Sequence, residues 1–587
     1  MDDPTGPAEA GPRPEIAVST TTTRENRTGS WRYLRPVYRD RVAPCNAACP
    51  AGVDVEGYMA LLREGRVEEA VDLLLGENPM PAVTGRVCHR PCEASCNRAH
   101  LDEAVSVHAV ERALGDRALE RSLSPPDPPA LPERVAVVGS GPAGLSCAWH
   151  LARMGYGVTV LEADDRAGGM LRQGIPGYRL PRDVLDRQLD RIRAAGVEIR
   201  CGRELGADVD WSELEGFDAV FTATGAHGER SPGVPGEERP EVLPGLSFLK
   251  ALNRGRTIPV GRRVAVIGGG NTAVDCARAA LRLGAEPVVL YRRTEEQMPA
   301  IPQEVAEARR EGVEFVFLAS PDAFVGRNGD LAGVECERME LGEPDASGRP
   351  RPVPAGTGGF TLLADTVLTA IGERADGPFL PEEVDWEDGG VATDGWGETG
   401  RPLLFVGGDL AGEERTVAHA LGSGKRAALG IDRRLRERAG QELPDRLPEE
   451  LRWGGTGAAS AARWTGTDPV RRRNPANEIA GPEAINPAHF EPVPRHGEPE
   501  LGDERRAEGF REVNLGLDRE TALAEARRCL NCGVCNDCEL CRILCPDVAV
   551  SRSDGGELRV DLDYCKGCGV CARECPRGAL TMIREER

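Results

Sequence analysis

The cysteines near the C-terminal end of the sequence are spaced in a way that few folds can accommodate. The last seventy residues hold ten of the nineteen cysteines, in two runs. One run reads Cys-x2-Cys-x2-Cys-x3-Cys-Pro from Cys565 to Pro576, and the other gives this spacing only if it starts at Cys535 and ends at Pro546. Four thiolates complete one iron–sulfur cluster, so the doubled run predicts a small C-terminal domain folded around two clusters.

The repeated spacing is that of bacterial two-cluster ferredoxins, in which the fourth cysteine of each run binds the other cluster. We therefore predict two [4Fe-4S] clusters with crossed ligand sets. One set is Cys535, Cys538, Cys541 and Cys575, and the other is Cys565, Cys568, Cys571 and Cys545. Two more cysteines, Cys529 and Cys532, precede these sets. Two thiolates alone are too few for a further metal site, so we expect free thiols on a helix leading into the domain.

Two earlier stretches each combine an apolar strand, a glycine-rich turn and a helix pattern, the order that a dinucleotide-binding Rossmann unit requires. The first unit spans residues 134–165 and carries Gly139-x-Gly141-x-x-Gly144. These glycines permit a tight turn, close approach of a pyrophosphate and helix-to-strand packing, and the helix N-terminus favours phosphate. Its second strand ends in Glu162, which is placed to accept hydrogen bonds from ribose hydroxyls.

The second unit spans residues 263–294 and has alanine in place of the third glycine, at Ala273. Its second strand ends in Arg292 and Arg293 rather than in an acid. A carboxylate would repel the 2′-phosphate of NADP, whereas two guanidinium groups suit it. The pair therefore favours NADPH over NADH, the alternative being that the arginines only form a solvated strand end.

Two nested nucleotide units in this order resemble the two-dinucleotide-binding flavoprotein family. Four further segments are similar to that family's elements: "GGMLRQGIPGYRLP" (168–181), "TATGA" (222–226), "TAIGE" (369–373) and "LFVGGDLAGEERTVAHALGSGKRAA" (404–428). The resemblance implies an FAD domain built from residues 131–255 and 374–437. It implies an NADP domain, residues 257–373, inserted between those two parts.

The resemblance also implies which residues hold the cofactors. Those expected at FAD are Gly139, Gly141, Pro142, Ala143, Gly144, Glu162, Gly169, Arg172, Gly225, Gly408, Asp409, Thr416 and Val417, with Asp409 bonding the ribityl chain. Those expected at NADP are Gly268, Gly270, Asn271, Thr272, Ala273, Arg292, Arg293 and Gly372. A disulfide reductase is disfavoured, because the cysteines of this region are single and widely spaced: Cys147, Cys201, Cys276 and Cys336.

The region "APCNAACP" to "RPCEASC" (43–96), with the helical pattern between, resembles the N-terminal iron–sulfur domain of the glutamate synthase small-subunit family. The resemblance implies one [4Fe-4S] cluster on Cys49, Cys88 and Cys92, with Glu111 at the place of a fourth ligand. The family's second cluster would use Cys45 and Cys96 with an upstream Cys-x2-Cys pair, which this sequence lacks. A second cluster is therefore not expected, and Cys45 or Cys96 could instead complete the first, or a structural zinc could take its place.

The predicted fold is therefore multidomain. It joins an N-terminal α-helical iron–sulfur domain, two nested Rossmann-like α/β domains and a C-terminal ferredoxin-like α+β domain. Outside the two nucleotide domains, the predicted layout is a disordered tail (1–30), the helical iron–sulfur domain (31–122), an extended linker (438–515) and the ferredoxin domain (516–587).

Composition excludes several classes of function. A net charge of −22 disfavours nonspecific binding to nucleic acid, which needs basic surface. No stretch approaches eighteen apolar residues, so no membrane span is expected. The polar N-terminus lacks the features of a signal peptide, and we therefore expect a cytoplasmic protein whose cysteines bind metal rather than form disulfides.

Together these features predict an NAD(P)H-dependent oxidoreductase, similar to the glutamate synthase small subunit, that passes electrons from NADPH through FAD to [4Fe-4S] clusters. No catalytic side chain is assigned, because hydride transfer between cofactors depends on positioning. The expected partner is a glutamate synthase large subunit, a 2-oxoacid or aryl-CoA oxidoreductase, or a soluble ferredoxin. Two alternatives remain: an NADP:ferredoxin oxidoreductase module of a 2-oxoacid or aromatic redox complex, and a non-enzymatic iron–sulfur scaffold.

Overall fold

A computed structural model describes residues 27–121, 131–256, 258–345, 348–377, 379–387, 389–441, 443, 451–455, 457–467, 473 and 475–585. Residues 1–26 of the predicted disordered tail lie outside these ranges. The end of that tail differs from the prediction, because Thr28–Trp31 form a 3-10 helix and the Gly29 amide donates to the carbonyl of Asp563 at 2.8 Å. Within the described ranges, none of the helices combines the length and the apolar character needed to cross a membrane.

The N-terminal region is helical apart from its first strand. The elements are β1 (Leu34–Tyr38), α1 (Pro44–Ala48), α2 (Val55–Arg63), α3 (Val67–Glu77), α4 (Pro81–Val87), α5 (Pro91–Ala94) and α6 (Val107–Glu120). Three of these helices begin at proline, where the missing N–H leaves no helical hydrogen bond unmade. Cys45 lies in α1 and Cys92 in α5, whereas Cys49, Cys88 and Cys96 lie at or just after helix ends.

The first Rossmann unit and the elements that follow it form a strand-and-helix series. These elements are β2 (Arg134–Val138), α7 (Pro142–Arg153), β3 (Gly157–Glu162), α8 (Met170–Gln173), α9 (Arg182–Ala194), β4 (Val197–Cys201), α10 (Trp211–Leu214), β5 (Ala219–Thr222), β6 (Gly228–Glu229), β7 (Val242–Pro244) and α11 (Gly245–Asn253).

The second unit and a β-meander come next. Their elements are β8 (Arg263–Ile267), α12 (Asn271–Arg282), β9 (Glu286–Tyr291), α13 (Pro302–Glu311), β10 (Glu314–Phe317), β11 (Ala319–Arg327), β12 (Asp330–Pro344), β13 (Pro350–Leu363), β14 (Thr366–Thr369) and β15 (Glu373–Arg374). The chain then returns through β16 (Trp386–Glu387), β17 (Gly390–Val391), β18 (Leu404–Val406) and α14 (Val417–Arg438).

Two parallel sheets organise these elements. The first has the order β18-β5-β2-β3-β4, so the returning strand β18 completes the sheet of the first unit. The second has the order β10-β9-β8-β14-β7. Strand β7 pairs with β14, so the second sheet takes up residues that the predicted boundary at residue 257 gave to the first domain. The chain segments at "TATGA" (222–226) and "TAIGE" (369–373) lie side by side, because β6 pairs with β15.

The connector and the C-terminal region hold short elements: α15 (Ala461–Thr465), α16 (Asp503–Arg506), α17 (Arg519–Arg527), α18 (Leu540–Ile543), β19 (Val550–Arg552), β20 (Leu558–Val560), α19 (Val570–Arg573) and β21 (Leu580–Arg584). Strand β21 pairs antiparallel with β1, from Leu34 opposite Arg584 to Tyr38 opposite Leu580. The two ends of the described chain therefore form one ribbon. The described part of the connector lies against other domains, as where Phe510 stacks on Tyr178.

One hydrophobic core joins the helical N-terminal region to the first sheet. It includes Val83 of α4, Trp149 of α7 and Leu189 of α9. The indole nitrogen of Trp149 donates to the carbonyl of Leu75 at 3.2 Å. Since buried apolar surface is the main stabilising contribution to folding, this shared core fixes the N-terminal cysteines relative to the first nucleotide site.

Candidate cofactor sites

The first glycine-rich turn joins β2 to α7. Gly139 has φ of 101°, and a Cβ there would lie 2.4 Å from the carbonyl oxygen of Ala223, so the turn requires glycine. A Cβ on Gly144 would lie 1.9 Å from the carbonyl oxygen of Gly139, which shows how closely α7 approaches the turn. At Gly141 an added Cβ would meet no atom within 4 Å. This open space at the start of α7, beside Pro142 and Ala143, fits an FAD pyrophosphate.

Glu162 supports that turn from the end of β3. Its buried carboxylate accepts the amide of Ser140 at 2.9 Å and the hydroxyl of the same residue. It also accepts the amide of Asp164 at 2.9 Å. A carboxylate offers about four acceptor positions, so the predicted bonds to ribose hydroxyls remain possible in addition to these.

Arg172, on α8, carries the observation that most favours an anionic ligand here. Its buried side chain donates through Nε to the carbonyl of Ala167 at 2.6 Å and through Nη2 to Asp186. Its Nη1 is buried without a hydrogen-bond partner. The preceding Gly169 lies against the first turn, since its Cβ would sit 2.7 Å from Cα of Gly141. An unpaired buried guanidinium nitrogen beside the open cradle fits a phosphate oxygen of FAD.

The return segment lies against the same turn. Asp409 sits in the 3-10 turn Gly408–Ala411, and burial raises the pKa of its carboxyl above the ordinary value. A Cβ on Gly408 would come within 3.0 Å of Cβ of Ala143. Thr416 caps α14 by accepting the His419 amide at 3.2 Å, which places Val417 in the first turn of that helix. Gly225 follows β5, the strand between β2 and β18.

The second glycine-rich turn, between β8 and α12, repeats the design of the first. Gly268 has φ of 145°, and its Cβ would lie 2.2 Å from the carbonyl oxygen of Ala370, two residues before Gly372. Gly270 again faces open space, with no atom within 4 Å of an added Cβ. Asn271 accepts the Ile301 amide at 3.0 Å, and Thr272 and Ala273 complete the first turn of α12. The open space at Gly270, at the start of α12, fits the pyrophosphate of NADP.

The two arginines after β9 have different surroundings. Arg293 is buried, donates to the carbonyl of Pro350 at 2.8 Å and pairs with Asp345 at 2.8 Å. Its guanidinium thus ties β9 to the turn between β12 and β13 rather than facing a ligand. Arg292 is exposed. Of the two residues predicted to bind the 2′-phosphate, Arg292 is therefore the one whose side chain is open to a nucleotide.

The C-terminal cysteines line two separate cavities. The first is lined by Cys545, Cys565, Cys568 and Cys571, and the second by Cys535, Cys538, Cys541 and Cys575. This partition is the crossed one that the spacing predicts. A contact that the sequence did not suggest is the Tyr38 hydroxyl, 3.2 Å from the Cys541 sulfur.

The N-terminal cysteines divide into two groups. Cys49, Cys88 and Cys92 lie near the carboxylate of Glu111, as the family resemblance implies. Burial, and then the neighbouring Glu111 carboxylate, raises the pKa of the Cys88 thiol to about 12. Burial also raises the pKa of Glu111 to about 7, although it accepts hydrogen bonds from Thr84 at 2.5 Å and Asn78 at 3.1 Å. Bound iron would stabilise the thiolates that burial disfavours.

The spacing of these groups argues against zinc. A tetrahedral zinc holds its sulfur ligands about 3.8 Å apart, given Zn–S bonds of about 2.3 Å. Throughout the described ranges, the one trio of His, Cys, Asp or Glu ligand atoms within 4.8 Å of one another is His89, Glu414 and His419. The cysteine groups are wider than this, as a four-iron cluster requires.

The other two N-terminal cysteines, Cys45 and Cys96, adjoin Cys529 and Cys532 instead of completing the first group. The sequence predicted free thiols on a helix leading into the domain, but α17 ends at Arg527, before both cysteines. Cys532 is buried and Cys529 is partly buried. One feature of the sequence indicates this placement: the Cys-x2-Cys pair Cys529 and Cys532 lies directly before a ferredoxin-type run that does not use it.

Three family models match the chain. Residues 133–424 match "Pyridine nucleotide-disulphide oxidoreductase". Residues 38–123 match "Dihydropyrimidine dehydrogenase domain II, 4Fe-4S cluster", and residues 558–581 match "4Fe-4S binding domain". Together the three matches cover both nucleotide units, the N-terminal cysteine-rich region and the second of the two C-terminal cysteine runs.

Several curated proteins are similar over most of the chain. The NADP(+)-dependent formate dehydrogenase subunit beta of Moorella thermoacetica is 38% identical over 520 residues, covering 84% of this chain and 70% of its own. The NADPH-Fe(3+) oxidoreductase subunit beta of Geobacter sulfurreducens is 38% identical over 525 residues, covering 84% and 75%. The glutamate synthase [NADPH] small chain of Escherichia coli is 35% identical over 419 residues, covering 66% and 87%.

Proposed function

We propose that the chain carries electrons between NADPH and a separate partner subunit. The chain belongs to the family of FAD-dependent NAD(P)H oxidoreductases that these relatives represent. The protein binds FAD and NADP and holds 4Fe-4S clusters in its N-terminal and C-terminal regions, which confirms the cofactors expected from the sequence. The identity of the partner, the direction of electron flow and the assignment of individual residues belong to the proposal.

The contact between the N-terminal domain and α14 carries the proposal. A Cβ on Gly422 of α14 would lie 1.9 Å from the carbonyl oxygen of Pro50, the residue after the cluster ligand Cys49. His89, the residue after Cys88, stacks on His419 of the same helix with ring centroids 5.7 Å apart. The first turns of α14 also carry predicted FAD contacts. One helix therefore touches both the flavin site and the nearest cluster site.

A buried ion pair holds this contact in place. Lys425 of α14 pairs with Glu77 of α3 at 2.5 Å and donates to the carbonyl of Gly52 at 3.2 Å. Both side chains are only 1% exposed. Breaking one partner of such a pair would leave an uncompensated buried charge, so the pair fixes the separation of the two sites.

The cofactors supply the redox chemistry, hydride exchange between nicotinamide and flavin and single-electron transfer through the clusters. The chain positions them. The two glycine turns hold the pyrophosphates, Arg292 binds the 2′-phosphate, and Asp409 holds the ribityl chain. Because all of these residues bind or orient, the proposal needs no side chain that acts as acid or base.

The C-terminal domain provides a surface for electron transfer to the partner. One ligand of each cavity, Cys538 and Cys568, is exposed. Beside Cys545, the side chains of Ile543 and Val548 are 65% and 77% exposed and that of Leu544 is 40% exposed. An apolar patch next to exposed cluster ligands is suited to docking a redox subunit. We place the partner at this patch, formed by Ile543, Leu544 and Val548.

The test is anaerobic purification of the tagged protein from its own cells, with the proteins that accompany it identified by mass spectrometry. A glutamate synthase large subunit would make the chain the reductase half of glutamate synthesis. A 2-oxoacid, aryl-CoA or formate-oxidising subunit would make it a pyridine-nucleotide gateway, and a ferredoxin would make it an NADP:ferredoxin oxidoreductase.

The Val548→Asp variant tests the docking patch. It should still bind FAD and oxidise NADPH with an artificial acceptor, but the partner should no longer accompany it. An undiminished partner yield would move the docking site elsewhere. Failure of the unaltered protein to bind FAD or to oxidise NADPH would contradict the proposal as a whole and revive the scaffold alternative.

A further inference from the structure

Four cysteines from opposite ends of the chain meet at the boundary between the N-terminal and C-terminal domains. Cys45 follows β1 and Cys96 follows α5, whereas Cys529 and Cys532 lie between α17 and the ferredoxin-type run. The function proposed above uses none of the four. More than four hundred residues separate the first two cysteines from the last two, so only the fold brings the two pairs together.

Hydrogen bonds to backbone carbonyl oxygens hold the two segments together on both sides of the cysteines. The amide of Arg41 donates to the carbonyl of Gly533 at 2.9 Å. The guanidinium of Arg98 donates to the carbonyl of Arg528 at 2.7 Å. Arg63 donates to the carbonyl of Cys529 at 3.3 Å. Each of these hydrogen bonds connects the N-terminal region to residues 528–533. Two of the donors lie close in sequence to an N-terminal cysteine, and the third lies on α2.

The thiols themselves share one apolar environment. Cys532 is buried in a cluster with Ala43 and Leu530, and Cys45 packs against that cluster. Cys45, Cys96 and Cys529 also pack against the main core. Burial, and then the neighbouring thiols of Cys529, Cys96 and Cys532, raises the pKa of the Cys45 thiol well above its usual range. The four side chains therefore lie in one neighbourhood, with Cys532 buried and the other three partly buried.

The surrounding donors suit bound sulfur. The amide of Asn531 donates to the Cys529 sulfur at 3.4 Å, within a turn between the two cysteines of the pair. Asn97, next to Cys96, reaches the same place, since its side chain donates to the carbonyl of Ala480 at 2.8 Å and hydrogen-bonds to Cys532. Hydrogen bonds to sulfur are one of the means by which proteins tune cluster potentials.

We infer that Cys45, Cys96, Cys529 and Cys532 together bind a further [4Fe-4S] cluster, with two ligands from each end of the chain. Four thiolates supply the full ligand set of one cluster without an amide or acid ligand. No disulfide joins any of the four cysteines in the structure. A single zinc is disfavoured by the wide spacing, because no three of these sulfurs lie within 4.8 Å of one another in the described structure.

The site lies between the clusters already described. Three residues separate Cys45 from Cys49 and Cys92 from Cys96, and two separate Cys532 from Cys535. Each of these short spacers joins a ligand of the new site to a ligand of a neighbouring site. The cluster thus fills the place between the flavin-side cluster and the ferredoxin-type pair. Its role as a relay rests on the proposed function, whereas its presence does not.

The test compares the double variant Cys529→Ala/Cys532→Ala with the Cys336→Ala variant, which removes a buried thiol on β12. Both are purified anaerobically as full chains, and iron, acid-labile sulfide, zinc and FAD are measured per chain. The double variant should lose about four iron and four sulfide ions and keep its FAD, while the control should match the unaltered protein. The electron paramagnetic resonance spectrum of the dithionite-reduced protein should lose one signal.

Unchanged iron and sulfide in a double variant that retains FAD would overturn the inference, as would zinc in place of iron in the unaltered protein. If the double variant does not fold, native mass spectrometry of the unaltered chain decides by counting clusters. Four clusters support the inference, and three or fewer contradict it. Oxidation of NADPH with an artificial acceptor is measured alongside, so that failure of the proposed function is recognised separately.

Discussion

The contact at Gly422 provides a quantitative test of how the flavin and cluster domains are joined. A Cβ at Gly422 would lie 1.9 Å from the carbonyl oxygen of Pro50, whereas ordinary contact begins near 3.4 Å, so helix and loop would have to separate by about 1.5 Å. Overpacking of this kind costs about 1–3 kcal/mol. Alanine gains about 1 kcal/mol over glycine in a helix, so the net loss for Gly422→Ala should be at most about 2 kcal/mol.

The matched control is Gly76→Ala, in α3, where an added Cβ meets no atom within 4 Å. That variant should gain about 1 kcal/mol from helix propensity alone. The difference between the two variants therefore isolates the steric term of about 1–3 kcal/mol.

The assay follows two activities during heating under anaerobic conditions: NADPH-dependent bleaching of the clusters, and NADPH oxidation with an acceptor that takes electrons at the flavin. Gly422→Ala should lose cluster bleaching at a lower temperature than Gly76→Ala, and earlier than it loses flavin activity. If the two variants lose cluster bleaching at the same temperature and rate, the contact does not couple the domains and the reasoning fails.

Four further predictions follow from individual contacts. Gly141→Ala adds a Cβ to open space, so the fold should be unchanged while FAD affinity falls about 10–100-fold, measured by flavin content against ligand concentration. Gly270→Ala should instead raise the KM for NADPH by a similar factor and leave FAD content intact; loss of FAD would show that the two sites are misassigned. Arg292→Ala should lose about 1.5–3 kcal/mol of preference for NADPH over NADH, whereas Arg293→Ala should leave the preference unchanged and lower thermal stability; the opposite pattern in kcat/KM would return the 2′-phosphate to Arg293. Lys425→Met should lower the free energy of unfolding by about 3–5 kcal/mol, because the buried Glu77 carboxylate loses its counter-charge. Lys425→Met/Glu77→Gln should lower it by less, and urea unfolding of the two variants measures the difference.

Much of the nucleotide-binding architecture follows from local sequence. Strand, glycine turn, helix and terminal acid lie next to one another in the chain, so spacing alone indicates the turns at Gly139 and Gly268. The crossed ligand sets also follow from the repeated spacing, because it is that of two-cluster ferredoxins, in which the fourth cysteine of each run binds the other cluster. Such patterns depend on neighbours in sequence, which a single sequence displays.

The sequence alone did not predict the features that depend on tertiary contacts. Arg292 and Arg293 are equivalent in sequence, and only the approach of Asp345 from a hairpin some fifty residues away distinguishes them. The pairing of β1 with β21 joins chain ends whose proximity no local pattern records. Cys529 and Cys532 are left over for the same reason. The absent upstream pair suggested a missing cluster, whereas the fold brings a Cys-x2-Cys pair from the other end to that place.

The central claim is that electrons move between the nicotinamide site and the clusters only through the flavin. The most direct measurement reduces the purified protein with dithionite, removes the excess, adds NADP⁺ under anaerobic conditions and follows NADPH formation together with the cluster electron paramagnetic resonance signals. The account predicts that NADPH forms as the cluster signals decay in the FAD-loaded protein, and that neither occurs in FAD-depleted protein. Loss of the cluster signals to NADP⁺ at equal rates with and without FAD would contradict it.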